Sequence, residues 1–193
     1  SWYNGSNRAE VILDYFLRED LTGATEVSKE GDYALRITVS AIATFSGHGF
    51  AYAKQGWFYF NSSPIAVRLV DLDAPGSLDV WGDPWTPSGT SNGFYVAVQL
   101  VFSNEHTITI LQGMINSDTG ESFPGSSKTD FLNQFQNTTS EAYFYNSTPA
   151  DTYYWWQTHF RYNIYELFTA AFPDIVHLDD IYLVEIRLGI WFV

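Results

Sequence analysis

The sequence contains no cysteine, so neither a disulfide framework nor a thiolate metal site is open to it. Basic residues are scarce too. Nine lysines and arginines, scattered singly, stand against 22 acidic residues and leave a formal net charge of −13. That excludes the phosphate-tracking surface on which nucleic-acid binding depends. Charged residues of both signs make up only 16% of the chain, so solubility must rest on Ser, Thr, Asn, Gly and Tyr. No stretch approaches the run of about 20 apolar residues that a spanning helix requires. The histidines His48, His106, His159 and His177 include no i, i+4 pair, and no Gly-x-Ser-x-Gly turn occurs. Neither a helical zinc site nor a nucleophile-elbow hydrolase is therefore signalled.

Aromatic residues are abundant, at 18% of 193 residues. A chain of this length suits one all-β domain, burying roughly 70% of its unfolded surface without covalent staples. The clearest pattern is the last one, Ile181 to Val193. Val184, Ile186, Leu188, Ile190 and Phe192 alternate onto one face of a strand, and Glu185, Arg187, Gly189 and Trp191 onto the other. An apolar face of that length needs a partner layer. The mixed face is where binding or chemistry would reside.

Other strands are expected at Val11–Leu17, Tyr33–Phe45, Trp57–Phe60, Ala66–Leu72, Glu141–Asn146 and Tyr153–Tyr162, with a hairpin over Phe94–Gln112. Asp73 to Gly93, rich in Pro and Gly, is expected to be an irregular loop, and Asn116 to Asn137 a second, polar one. One helix is expected, Ile164 to Phe172: its apolar stripe follows Asn163, Glu166 three residues on completes a capping-box pattern, and Pro173 ends it. The expected architecture is all-β, an antiparallel two-sheet β-sandwich or jelly roll with one short C-terminal helix before the last strand. Residues 1–193 would form one domain. Residues 1–18 are a candidate strand-donating segment, with Val11, Leu13, Tyr15 and Leu17 as its assembly face.

Four sequons, at Asn4, Asn61, Asn137 and Asn146, point to an exported, glycosylated protein. A start at Ser1 rather than Met matches the product left when a signal peptide is removed. No cofactor is expected. Calcium is the one cation for which the chain offers acidic loops, chiefly around Asn116–Glu121, and ordinary turn chemistry accounts for the same residues. The candidate glycan-binding residues are Trp81, Trp85, Tyr95, Gln99, Glu185 and Trp191, because exposed rings suit the apolar faces of sugars. Glu185 is also the leading candidate acid for glycoside hydrolysis, although Arg187 shares its face and a structural Glu–Arg pair explains both.

Several segments together resemble glycoside hydrolase family twelve endoglucanases. They are Ala51-Tyr52-Ala53 followed by Trp57 to Phe60, then Ser63 to Val67 leading into Leu69–Leu72, then Asn92 to Val98, and finally the helix Ile164 to Phe172 with the Gly189 strand. The resemblance implies a concanavalin-like jelly roll with a concave face. It places the family's two catalytic glutamates at about Tyr95 and Trp191, where this chain has no carboxylate. The expected function is therefore a non-catalytic extracellular protein in a structural or assembly role, as a filament, sheath or adhesive subunit whose partners are copies of itself. A carbohydrate-binding module, with polysaccharide as partner, and an active endo-β-glucanase are the alternatives.

Overall fold

The computed structural model describes residues 3–4, 10–17, 33–40, 49–56, 66–82, 94–115, 122–123, 135–146 and 158–192. For 3–4, 10–17, 33–40, 49–56, 81–82, 94, 114–115, 122–123, 158 and 192 the description is of the backbone alone. The strands are β1 (Tyr3–Asn4), β2 (Glu10–Leu17), β3 (Tyr33–Ser40), β4 (Gly49–Gly56), β5 (Val67–Arg68), β6 (Leu78–Gly82), β7 (Phe94–Phe102), β8 (Thr107–Ile115), β9 (Ser122–Phe123), β10 (Glu141–Tyr145), β11 (Thr158–Tyr162) and β12 (Tyr182–Phe192). One α-helix is present among the described residues, α1 (Ile164–Ala171).

The main sheet runs β1-β4-β12-β7-β8-β10, with β5 also pairing β12 and β9 also pairing β8. It is open, with β1 and β10 at its ends, and not a closed barrel. Two further ladders, β2-β3 and β6-β11, are not hydrogen-bonded into it among the described residues, and β2-β3 approaches β1 and β4. The sheet is mixed, not purely antiparallel as expected: β10 pairs β8 in parallel, Glu141 opposite Thr107 through to Tyr145 opposite Leu111. β10 enters the sheet with Glu141 beside Thr107, the first residue of β8, and so repeats the direction of β8 instead of reversing it.

β12 holds the middle of the sheet, hydrogen-bonded to β4 on one side and β7 on the other. One residue breaks its alternation. The register shifts between Leu183 and Glu185, a β-bulge that takes Val184 out of step. Leu183, not Val184, therefore joins Ile186 and Leu188 on the main core face, buried to 2%. Beside them lie Val98, Leu100 and Phe102 of β7 and Ile108 and Ile110 of β8. Helix α1 covers this face with Ile164, Leu167 and Phe168, and Phe168 meets Phe102 edge-on at 4.7 Å.

The helix starts where capping chemistry allows. Asn163 Oδ1 accepts from the Glu166 backbone N–H, and Ser77 Oγ accepts from that of Ile164. The segments before it depart from expectation in two places. Leu69–Leu72 is a 3-10 turn, with only Val67–Arg68 in strand conformation. Leu78–Gly82, inside the expected loop, is a strand paired with β11. Leu78 and Val80, alternating inward, win that segment from the surrounding prolines and glycines. Pro75-Gly76 makes the turn before it: Gly76 has φ +74°, and the Ser77 N–H donates to the Ala74 carbonyl at 3.1 Å. The segments 41–45 and 57–60, expected as strand, and the loop 116–121 lie outside the described residues.

Candidate functional site

The site to test is the mixed face of β12. Strand register aligns its residues in rows across four strands. Arg187 stands opposite Gln99, Gln99 opposite Thr109, and Thr109 opposite Tyr143. Gly189, Ala97, Leu111 and Tyr145 make the next row, and Trp191, Tyr95 and Gly113 the one beyond.

The first row is a chain of hydrogen bonds. Arg187 Nε donates to the Glu185 carboxylate, and Arg187 Nη1 donates to Gln99 Oε1 at 2.7 Å. Gln99 Nε2 passes the chain on to Thr109 Oγ1 at 2.8 Å. Gln99 is 8% exposed and Thr109 1%, so both ends of the amide are engaged in an interior setting. The Glu185 and Arg187 side chains are 16% and 26% exposed. Glu185 is the acceptor of a guanidinium beside it, which is the structural pair its spacing with Arg187 suggested.

The third row is aromatic and covered. Tyr95 is 2% exposed and clusters with Ala97, Leu111 and Phe135. Phe135 meets Tyr95 edge-on at 5.5 Å and Trp191 edge-on at 6.1 Å, and Tyr143 meets Trp191 at 5.9 Å. The Tyr95 ring, a candidate stacking surface in the sequence, is thus interior. The Tyr143 hydroxyl donates to Glu141 Oε2 at 3.3 Å. Burial, then the Glu141 charge and that hydrogen bond, push its pKa up to about 12. Phe135 was missed because it lies in the polar run Asn133 to Asn137. A lone large apolar side chain in such a run is itself a signal of an anchored loop.

The remaining candidates fall elsewhere. The Trp81 backbone lies in β6, opposite His159, far along the chain from the face of β12. Trp85 and Asn61 lie outside the described residues, and Asn4 is described only as backbone in β1. Asn137 is exposed. Asn146 is 6% exposed, and its carboxamide is spoken for: Nδ2 donates to Gln112 Oε1 at 2.8 Å and to the His159 carbonyl at 3.4 Å, while Oδ1 accepts from the Tyr162 hydroxyl at 2.8 Å. The assembly residues Val11, Leu13, Tyr15 and Leu17 stand opposite Val39, Ile37, Leu35 and Tyr33 of the same chain.

Among the described residues no group of three or more His, Asp or Glu side chains could hold a metal ion. No helix among them is long and apolar enough to cross a membrane. Comparison of the chain with protein-family models, with curated proteins and with solved structures finds no match.

Proposed function

We propose that this is a non-catalytic extracellular β-sandwich, a jelly roll akin to that of family twelve, whose role is structural: a glycosylated filament, sheath or adhesive subunit that associates with copies of itself. The observation that carries the reading is Phe135 packed edge-on against both Tyr95 and Trp191. At the two positions where the family resemblance puts its acids, the chain has instead an aromatic layer with a lid. Retaining or inverting hydrolysis needs two carboxyl groups facing each other about 5–9 Å apart. The carboxylates described on this face are engaged: Glu185 is bound by Arg187 and directed along its own strand, and Glu141 accepts from the Tyr143 hydroxyl.

The association half rests on the β2–β3 ladder. Val11, Leu13, Tyr15 and Leu17 against Val39, Ile37, Leu35 and Tyr33 give it one wholly apolar row of register partners. A two-stranded hairpin is marginal in water and needs further strands or faces to pack on; β1 and β4 of its own chain approach it, and a neighbouring copy can offer a second face. Supplying that face from a neighbouring subunit makes a head-to-tail contact that propagates. The donated element would be the hairpin, because β2 is already paired over all eight of its residues within its own chain.

The carbohydrate-binding alternative draws on the partly exposed Trp191 and Tyr143 rings. Negative-stain electron microscopy of the purified protein, with an affinity gel of insoluble polysaccharide in parallel, separates the two. Filaments or regular oligomers with no retention on the gel support the assembly reading; retained monomers overturn it.

A further inference from the structure

A β-sheet edge exposes backbone donors and acceptors on every second residue, and it recruits other chains unless something blocks it. β10 is such an edge. The Asn146 N–H donates to the Leu111 carbonyl, and the Ser140 carbonyl accepts from Thr107 N–H, so the even-numbered residues here bond inward to β8. Glu141, Tyr143 and Tyr145 then turn their backbone groups outward.

The segment just before β10 folds back over that outward side. The Thr138 N–H donates to the Glu141 carbonyl at 2.8 Å, and Thr138 Oγ1 accepts from the Glu141 N–H at 3.0 Å. Asn137 Oδ1 accepts from the Tyr143 N–H at 2.8 Å. Both of the outward-facing groups of Glu141 and the N–H of Tyr143 are therefore satisfied by Asn137 and Thr138.

Asn137 is also the first residue of the sequon Asn137-Thr138-Thr139, and all three residues are exposed. Its Oδ1 is committed to the sheet edge, and among the described residues no hydrogen bond holds its Nδ2. Asn146, in the sequon Asn146-Ser147-Thr148, is the opposite case, since its Nδ2 lies in a buried network with two acceptors. A sugar on that nitrogen would have to displace Gln112 and the His159 carbonyl from a region where both are packed.

We propose that Asn137 is a glycosylation site whose carboxamide closes the β10 edge twice, its oxygen capping the strand and its nitrogen carrying a glycan over it, and that Asn146 stays bare as an internal hydrogen-bonding residue. The co-reactant is a lipid-phosphate-linked oligosaccharide. The Asn137 Nδ2–C1 bond forms as the C1–O bond to phosphate breaks; Nδ2 gives up one proton to a base of the transferring enzyme, and the lipid phosphate leaves with the bonding electrons. Strand addition is thereby barred at β10, which directs any association to the β2–β3 ladder or to β1. This deepens the assembly reading, yet it can fail alone: a bare Asn137 in a protein that still forms filaments overturns only the modification.

The test is intact-mass and glycopeptide mass spectrometry of the full chain secreted from an N-glycosylating host, with Thr139→Ala and Thr148→Ala compared. Thr139→Ala should lose the mass of one glycan, and Thr148→Ala none. Any glycan on the Asn146 peptide of the folded protein, or an unchanged mass in Thr139→Ala, overturns the assignment. Thermal melting separates the two tasks of the carboxamide. Enzymatically deglycosylated Thr139→Ala should melt with the deglycosylated parent, and Asn137→Ala below both. If Asn137→Ala melts with them, the oxygen caps nothing of consequence.

Discussion

Tyr95 and Trp191 stand directly opposite each other across β7 and β12, and the edge of Phe135 closes on both rings. Two aromatic side chains in register, under a third, make a packed layer on this face of the sheet. The consequences for stability and titration follow from the same rows of residues.

Arg187 is the hub of the polar row, donating to Glu185 and to Gln99. Arg187→Met removes the cation that a mostly buried carboxylate and a buried amide oxygen share, and should cost about 2 kcal/mol. Adding Glu185→Gln should restore part of that loss, because the carboxylate charge goes with its partner. Urea unfolding of the parent, both single variants and the double variant checks the coupling.

The buried amide of Asn146 ties β10 to β8 and β11 through Gln112, Tyr162 and the His159 carbonyl. Asn146→Ala should lower stability by about 1–3 kcal/mol, since it strips the Tyr162 hydroxyl of its acceptor in a largely buried setting. Denaturant midpoints measure it, and Tyr162→Phe should recover some of the loss in the Asn146→Ala background.

Tyr143 gives the fold an alkaline limit. Below pH about 10 its hydroxyl is protonated whether the chain is folded or not, and its contribution is full. Between about 10 and the folded value of about 12, the unfolded chain has lost a proton that the fold still holds, so stability falls as pH rises. Burial raises Tyr162 in the same direction. Melting temperature against pH, followed alongside tyrosinate absorbance, should show the decline, and Tyr143→Phe should flatten part of it.

Glu105 holds φ at +67° in the turn between β7 and β8, a left-handed conformation that costs a side chain about 1–2 kcal/mol. Its side chain is exposed. Glu105→Gly should therefore stabilise the protein by about 1 kcal/mol, less the extra entropy of the unfolded glycine. Calorimetry should show a rise of roughly 2–4 °C.

Much of this fold was legible in the chain because local rules and burial agree there. The Phe94–Gln112 hairpin, the Asn163-capped helix and the alternation of Glu185 to Phe192 each follow from period and punctuation. Where they failed, a long-range term had prevailed. The bulge at Val184 exchanges Leu183 for Val184 on the core face, and nothing within β12 announces it. The parallel pairing of β8 with β10 depends on where a long connection returns, which periodicity does not encode. Leu78 and Val80 make a strand in a Pro- and Gly-rich stretch because β11 offers them a partner. On the candidate face, the pairing of Glu185 with Arg187 could be read from spacing, whereas the burial of Tyr95 could not, because its cover, Phe135, comes from a segment that composition marks as polar loop.

Sedimentation velocity of the purified protein, across a wide concentration series, tests the central claim most directly. The expected result is a distribution that shifts to larger species as concentration rises and collapses to the monomer when Leu13 and Tyr15 in β2 are both replaced by Asp, with the melting temperature of the monomer retained. A single monomeric boundary at every concentration would contradict it.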